Sequence, residues 1–472
     1  MIKIPLKFIL ILSLIPIFFI APIDSDLGWH LRYGDYFLEN GKFLKENILT
    51  YFLSGYYWPN SYSLYQAITT ILYKIGNLQL LTLSYLLVML FSFYLLNLTY
   101  PKTTKTNYLL FLLGAIASWQ VFRLGPRAQI YSFLFFVLTN FCLSKMVEKE
   151  NKKYFLILPL LFLVWANFHG GFVVGFALFL YYIIKSVADK KWGTAISISL
   201  IFLASLLATL INPYSIKIYA EIIRHITTPL RLLIAEWTPP PFYIKLTILI
   251  SSICSILVLL LSKARNKIPN SMFLLVFMLS AIEAKRNVPF WSLFLTITIL
   301  DSLQEKIKAI EKNRIMTKFV YITSLAVFIF PLFTSLPKNV SIIYDQDSFC
   351  RQGLLPYPCK AAEFIKKEKI DGKNVFSSYE WGGFLEWQLP EYKFFVDGRM
   401  PAWETKNKES PYTTYLKIIQ AQEGWDKKLE EYETDWLLLP ANTFLDLYLQ
   451  EQNSNWKEIY RDKISAIYIK KE

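Results

Sequence analysis

The chain has 472 residues, of which 54% are hydrophobic and 18% are charged, and its formal net charge is +14 at pH 7. The apolar residues fall in long unbroken blocks, which excludes a soluble globule and predicts a polytopic α-helical membrane protein. Because the basic residues lie largely in short segments between these blocks, we attribute the charge to membrane topology and expect no nucleic-acid partner.

The first apolar block covers residues 4–22 and offers no small-x-small cleavage site, so we expect a retained membrane helix rather than a cleaved signal. A polar, aromatic-rich segment follows, which we predict to be a loop over residues 24–60. It begins with Asp24 and Asp26 and contains His30. Two carboxylates at this spacing can converge on one cation, and their oxygens suit Mg²⁺ or Mn²⁺. The alternative is a solvated helix end.

Eleven apolar blocks predict membrane spans, although several are shorter than the ~20 residues that a straight helix needs. They cover residues 4–22, 78–98, 107–119, 128–146, 154–166, 172–187, 194–210, 243–261, 270–282, 287–300 and 317–336. The amphipathic stretches 61–76 and 216–226 predict helices in the membrane interface, with the ends of neighbouring spans as the alternative.

The basic turns between these blocks predict the orientation of the chain. With the N-terminus in the cytoplasm, every second turn is basic, as the positive-inside rule requires. The residues concerned are Lys102, Lys105, Lys145, Lys152, Lys153, Lys190, Lys191, Lys263, Arg265, Lys267, Lys306, Lys308, Lys312 and Arg314. An odd number of spans then places residues 337–472 outside the membrane.

Four cations break this rule, because they lie in two short turns on the predicted outer face. They are Arg123, Arg127, Lys285 and Arg286. Guanidinium groups at a membrane surface suit forked recognition of phosphate oxygens, and snorkelling to lipid headgroups is the alternative.

Two further outer segments carry polar side chains. Asn167 and His169 interrupt apolar sequence just before a glycine pair, and Glu236 and Trp237 lie in the longest outer loop, residues 212–242. A carboxylate beside an aromatic ring suits a sugar or a peptide acceptor. A structural histidine and an interfacial tryptophan belt are the alternatives.

The tail, residues 337–472, has a different pattern and predicts a small extracytoplasmic α/β domain. Cys350 and Cys359 bracket a loop in it, and the sequence leaves open whether they form a disulfide. The predicted elements are a helix over 359–370, strands over 374–379 and 393–397, a helix over 412–432, a strand over 435–439, a helix over 442–451 and a strand over 463–469. We therefore predict a transmembrane domain over 1–336 and an α/β domain over 337–472.

The acidic triplet after the first span, the outer arginines and the α/β tail together resemble the GT-C superfamily of membrane glycosyltransferases. The strings that resemble a bacterial GT-C-like group most closely are Asp24 to Gly34, Trp165 to Gly170, Asn212 to Tyr214 and Glu236-Trp237. In the tail, Tyr379 to Gly383 is similar to the WWDYG segment of oligosaccharyltransferase catalytic subunits, with Glu380 and Trp381 in place of its aspartate and tyrosine. A strand-to-helix turn is the alternative for that segment.

The resemblance implies an inner-membrane enzyme that takes a sugar from a polyprenyl-phosphate donor and passes it to an acceptor nucleophile on a glycan, lipid or protein. The resemblance implies Asp24 as the base or a metal ligand, Asp26 as a metal ligand, and Arg123, Arg127 and Arg286 as phosphate contacts. From their placement on the predicted outer face we add Glu236 as a catalytic carboxylate and Lys285 as a phosphate contact. Sugar or acceptor contacts are expected from His30, Asn167, His169, Trp237, Glu380 and Trp381. Two alternatives stay open. One is a flippase or export component that binds the lipid phosphate without chemistry, and the other is a scaffold.

Overall fold

The computed structural model describes residues 5–149, 154–262, 266–351, 356–405, 408–451 and 455–471. By their internal contacts, the residues form two compact units. The helical unit contains the residues up to Pro22 together with Leu78–Ile216 and Leu232–Val340. The mixed unit contains Ile23–Asn77, Lys217–Arg231 and the residues from Ser341 onward. The predicted domain boundary at residue 336 refers to the membrane surface and stays a prediction.

The described chain is mostly helical. In chain order its helices are α1 (Leu6–Phe18), α2 (Leu27–Asn40), α3 (Ser63–Thr99), α4 (Thr104–Ala117), α5 (Trp119–Phe122), α6 (Ala128–Lys149), α7 (Tyr154–Phe168), α8 (Phe172–Ala188), α9 (Trp192–Ala208), α10 (Lys217–Thr227), α11 (Phe242–Leu261), α12 (Lys267–Glu283), α13 (Val288–Glu311), α14 (Arg314–Phe333), α15 (Ser335–Tyr344), α16 (Gln346–Cys350), α17 (Cys359–Glu368), α18 (Gly382–Gln388), α19 (Pro411–Ile419), α20 (Trp425–Glu431) and α21 (Phe444–Glu451).

Four of the described helices, α3, α6, α11 and α14, are long and apolar enough to cross a membrane. Four shorter apolar helices accompany them, namely α1, α7, α8 and α9. These lengths and compositions indicate a membrane protein, as predicted, but they do not fix the number of spans at eleven. Of the basic residues used to predict the orientation, Lys152, Lys153, Lys263 and Arg265 lie outside the described residues.

The segment after the first apolar helix is not the loop that we predicted. Residues Leu27–Asn40 form α2, and its buried residues crowd the first half of the helix: Leu27, Gly28, Trp29, His30, Leu31, Tyr33 and Gly34. The predicted amphipathic stretch 61–76 is also helical, but the backbone leaves the helical conformation at Gly76 and Asn77, inside α3. Both helices before that break belong to the mixed unit.

A five-stranded sheet forms the centre of the mixed unit. Its strands are β1 (Asn374–Ser377), β2 (Lys393–Phe394), β3 (Trp436–Pro440), β4 (Trp456–Arg461) and β5 (Ser465–Lys470), in the order β2-β1-β3-β5-β4. β1 runs parallel to β2 and β3, whereas β5 pairs antiparallel with β3 and β4. The segment around Thr50 extends the sheet beyond β2, because Thr50 pairs with Phe394.

Both faces of this sheet are covered. Along β3, Leu437 and Leu439 belong to one hydrophobic core, while Trp436 and Leu438 belong to the other. A strand that is buried on both faces reads as a continuous apolar run, which explains why the sequence Trp-Leu-Leu-Leu shows no alternation.

The tail follows the predicted order of elements, with one predicted helix divided and with α15, α16, α18 and β4 in addition to the prediction. The helix predicted over 412–432 is divided into α19 and α20, because Gly424 adopts a left-handed φ of 79° just before α20. β4 and α18 were not predicted, although α18 fits the strand-to-helix turn considered for Tyr379 to Gly383. Cys350 and Cys359 form a disulfide.

Candidate active site

The acidic triplet lies at the start of α2. The amide of Leu27 donates to the carbonyl of Asp24, and the carboxylate of Asp26 accepts a hydrogen bond of 3.1 Å from the indole Nε1 of Trp29. Both aspartates are half-buried. Burial, and then the negative charges of Asp24 and Asp26, raise the pKa of Tyr357. The charges of both carboxylates therefore influence the phenol of Tyr357, which lies in the tail.

Glycines of the tail pack against the backbone of this triplet within the mixed unit. A Cβ atom on Gly383 would lie 2.5 Å from the carbonyl oxygen of Ser25, and one on Gly28 would overlap the carbonyl of Gly383. Gly28 and Gly383 thus allow α2 and α18 to approach each other backbone to backbone. The motifs that begin at residues 24 and 379 are consequently parts of one structure, although 355 residues separate them in the chain.

A buried ion cluster lies beside this contact. The guanidinium of Arg399 makes a forked pair with the carboxylate of Asp397, with its Nε donating to Oδ1 at 2.9 Å. Its Nη1 donates to the hydroxyl of Tyr33 at 2.6 Å, and its Nη2 donates to Asn47 at 3.2 Å and lies 3.5 Å from Glu386. Burial, and then the charge of Asp397, raise the pKa of Glu386 well above its usual value.

The predicted acceptor residues of the mixed unit have different surroundings. Glu380 is half-buried and accepts a 2.6 Å hydrogen bond from Ser378. Trp381 is 1% exposed in a hydrophobic core, and its indole donates to the carbonyl of Pro356, which favours a structural role. His30 is buried among the rings of Trp29, Tyr62 and Tyr65, at centroid distances of 3.6, 5.2 and 4.8 Å.

In the helical unit, the predicted phosphate contacts form a second group, which we call the cationic cluster (Arg123, Arg127, Lys285, Arg286). The carboxylate of Glu236 accepts from Arg127 at 2.7 Å and lies 3.7 Å from Arg286. Burial, and then the positive charge of Arg123, lower the pKa of Lys285. The fold thus holds like charges together in this cluster.

Backbone pairing explains how distant turns meet there. The amides of Lys285 and Arg286 donate to the carbonyls of Thr238 and Glu236, both at 3.1 Å. The guanidinium of Arg286 also stacks 4.0 Å from the ring centre of Trp237. Glu236, Trp237, Lys285 and Arg286, predicted as separate candidates, are therefore neighbours.

His169 contacts the cationic cluster, whereas Asn167 connects α7 to the segment that follows α9. Arg286 Nη2 lies 3.4 Å from His169 Nε2, and His169 Nδ1 contacts Ser132 Oγ at 2.8 Å. The amide of Asn167 donates to the carbonyls of Leu163 and Ile211, both at 2.9 Å. These bonds tie α7 to the chain after α9 and favour a structural role for Asn167.

Among the described residues, no group of three or more His, Cys, Asp or Glu is arranged to hold a metal ion. Asp24 and Asp26 supply two half-buried carboxylates at the start of α2. Two carboxylates fit a hard cation that completes its shell with water or a phosphate, and they do not fit a site built from protein ligands alone.

Four residues of the mixed unit were missed as site candidates, namely Tyr33, Glu386, Asp397 and Arg399. The string Asp397-Gly398-Arg399 was visible beside the Tyr379 motif and could have drawn attention to that pair. Nothing in the local sequence distinguishes Tyr33 or Glu386.

No family model and no curated protein matches the chain by sequence. Solved structures match its fold. The oligosaccharyltransferase AglB of Archaeoglobus fulgidus, solved with an inhibitory peptide and a dolichol-phosphate, aligns with a TM-score of 0.59 and 10% identity over 99% of this chain and 74% of its own. An Archaeoglobus fulgidus oligosaccharyltransferase structure with Zn and sulfate gives a TM-score of 0.57 and 10% identity over 92% and 67%.

ArnT from Cupriavidus metallidurans, bound to undecaprenyl phosphate, aligns with a TM-score of 0.54 and 11% identity over 98% of this chain and 96% of its own. These alignments cover nearly the whole of this chain. The chain therefore shares the fold of the AglB and ArnT structures, in agreement with the resemblance noted in its sequence.

Proposed function

We propose that the chain transfers a sugar from a polyprenyl-phosphate donor to an acceptor nucleophile on the outer face of the inner membrane. The cationic cluster carries the proposal, because Arg127 and Arg286 share the carboxylate of Glu236 and the charge of Arg123 contributes to lowering the pKa of Lys285. Neighbours of the same fold were solved with dolichol-phosphate and undecaprenyl phosphate, which supports a lipid phosphate as the ligand.

In this proposal, the cationic cluster binds the donor phosphate. As the bond between the anomeric carbon and the phosphate oxygen breaks, negative charge builds on that oxygen. Cations fixed in advance around it stabilise this charge without reorganising, which is the main way that enzymes speed such reactions. Glu236 orients Arg127 and Arg286 in this arrangement, and its own catalytic role stays a prediction.

The acceptor side is assigned to Asp24 and Asp26. One carboxylate, which we assign to Asp24, takes the proton from the acceptor hydroxyl as its oxygen attacks the anomeric carbon. Direct displacement of the phosphate then inverts the anomeric configuration. A bound Mg²⁺ or Mn²⁺ would be held through Asp26, which leaves Asp24 as the base, and would supply positive charge beside the acceptor.

The proposal places the N-terminus in the cytoplasm and the tail outside. The disulfide between Cys350 and Cys359 supports an extracytoplasmic tail, because disulfides persist in oxidising compartments. A glycan, a lipid or a protein could each supply the acceptor for a cell-envelope product, and we leave the acceptor class to the assay.

Transfer from a panel of radiolabelled polyprenyl-phosphate sugars in reconstituted membranes tests the function, with and without Mg²⁺ or Mn²⁺. We expect transfer by the native chain and its loss in Asp24→Asn. Full transfer by Asp24→Asn would remove the base from the proposal. Saturable binding of undecaprenyl phosphate without transfer from any donor would instead support a lipid-phosphate translocating protein.

A further inference from the structure

Gly398 lies directly against the carboxylate of Asp26. A Cβ atom on Gly398 would overlap Asp26 Oδ1, the oxygen that accepts from Trp29, and would lie 3.0 Å from Asp26 Cγ. The backbone of Gly398 has no positive φ, so space rather than backbone conformation favours glycine here. Any side chain at this position has to displace the Asp26 carboxylate.

The residues on either side of Gly398 hold its backbone in place. The amide of Arg399 donates to Asp397 Oδ1 at 2.8 Å, and the guanidinium of Arg399 forks onto the same carboxylate. These contacts fix a tight turn around Gly398. Both side chains are buried completely, so water cannot compete for the pair.

Arg399 also ties this turn to the helix that follows Asp26. Its Nη1 donates to the hydroxyl of Tyr33, which lies on α2, and its Nη2 donates to Asn47 in the segment after α2. Gly382 makes a third close contact with the turn, since a Cβ there would lie 2.5 Å from the carbonyl oxygen of Val396. The turn and the start of α2 are thus held as one rigid piece.

We propose that Gly398 and Arg399 are positioning residues, which set where the Asp26 carboxylate stands in the acidic triplet. The proposal rests on the proposed function for the catalytic importance of that carboxylate. Arg399 affects the position of the Asp26 carboxylate indirectly, through its pair with Asp397 in the turn and its hydrogen bond to Tyr33. Gly398 affects it by leaving room for Asp26 Oδ1. A purely structural role would stabilise the tail without a specific link to Asp26.

A double-mutant cycle tests this link in the full chain. Gly398→Ala and Asp26→Ala are made singly and together, and the thermal midpoint and kcat are measured for each. We expect Gly398→Ala to lower the midpoint in the native chain and to lower it much less in the Asp26→Ala background, because the overlapping oxygen is then absent. An equal loss in both backgrounds would overturn the proposal.

Transfer activity gives the second readout. We expect Gly398→Ala to lower kcat on the order of 100-fold with little change in KM, as a misplaced reacting group does. Gly193→Ala is the matched control and should leave kcat and the midpoint unchanged, because a Cβ there meets no atom within 4 Å. If the native chain transfers nothing, the proposed function fails, and the stability cycle still decides whether Gly398 positions Asp26.

Two results cover the case in which Gly398→Ala does not fold. Folding of the double variant would support the proposal, whereas failure of both variants to fold would overturn it. Arg399→Lys keeps the charge but loses the fork, and we expect a fall in kcat at constant KM. Arg461→Lys is its control, because Arg461 also forks onto a carboxylate, that of Asp446, away from the triplet.

Discussion

Both units contain arginine–carboxylate ion pairs, but the pairs of the two units differ in burial. In the mixed unit, the side chains of Arg399 and Asp397 are 0% exposed, and the guanidinium lies near the rings of Tyr33, Trp58 and Trp403. In the helical unit, Arg127, Arg286 and Glu236 keep 16 to 21% of their side chains exposed. The guanidinium of Arg399 donates its hydrogen bonds to other groups of the protein. Arg127 and Arg286 are partly exposed and can exchange the carboxylate of Glu236 for a ligand. Burial, more than residue type, therefore separates a scaffold arginine from a binding one.

Arg399→Met is the strongest test of whether burial separates the two kinds of arginine. The substitution leaves the Asp397 charge buried and removes a partner of Tyr33 and Asn47, and such losses cost about 3–5 kcal/mol of folding free energy. Denaturant unfolding in detergent measures it. Arg351→Met is the control, because Arg351 and Asp347 form an exposed pair at 3.8 Å, and we expect a change of at most about 1 kcal/mol there. Equal costs at both sites would show that burial does not set the difference.

The reverse behaviour is expected of Arg286→Gln. Stability should change little, whereas kcat/KM for the lipid-phosphate donor should fall roughly 100-fold, since one preformed donor to the leaving phosphate is lost. The loss should be larger than for Arg314→Gln, an exposed arginine at the start of α14. Donor titrations of both variants measure it. A similar loss in Arg314→Gln would point to general electrostatics rather than to the cationic cluster.

The cationic cluster was predictable because its members break a rule that is local in sequence. Basic residues in outer turns contradict the topology signal, and that conflict is visible without a structure. The pairing of Arg127 with Glu236 was not visible, because 109 residues separate the two in the chain. The sequence named the members but not their partners.

The acidic triplet shows the opposite case. Asp24 and Asp26 were conspicuous, yet their neighbours Gly383 and Gly398 lie more than 350 residues away, and such contacts leave no local pattern. The polar character of residues 24–60 also hid α2, because its buried residues fill the first half of the helix instead of marking one helical face. The pairing of Thr50 with Phe394 at the edge of the sheet also joins segments that are far apart in the chain, so it leaves no local pattern either.

Glu236→Gln sharpens the role of the carboxylate within the cationic cluster. Removing its charge leaves Arg127 and Arg286 less neutralised, so we expect undecaprenyl phosphate to bind about tenfold more tightly, which corresponds to about 1.4 kcal/mol. Lipid titration monitored by tryptophan fluorescence measures this. Glu305→Gln removes an exposed carboxylate of the same unit and should not change the affinity. Weaker binding in Glu236→Gln would mean that orienting Arg127 and Arg286 matters more for the affinity than the charge that Glu236 neutralises. A fall in kcat with tighter binding would support the predicted catalytic role.

The smallest effect is expected from Glu386→Gln, and it depends on pH. Burial and the nearby Asp397 raise the pKa of Glu386 in the folded chain, while the unfolded chain keeps a value near ~4.3. The folded state therefore binds the proton of Glu386 more strongly than the unfolded state does. The protonated Glu386 contributes fully to the stability of the fold below the unfolded pKa, and this contribution is lost as pH rises through the folded pKa. Glutamine cannot lose a proton.

We thus expect the thermal midpoint of Glu386→Gln to match the native value at low pH and to exceed it increasingly as pH rises above the unfolded pKa. Melting curves at a series of pH values measure the difference between the two chains. Glu380→Gln serves as the control, because Glu380 is half-buried and bonded to Ser378 outside the Arg399 pair. Parallel curves for Glu386→Gln and the native chain would mean that Arg399 keeps both carboxylates ionised. The buried cluster would then carry two negative charges against one positive charge, and it would differ from the partly exposed cationic cluster in net charge as well as in burial.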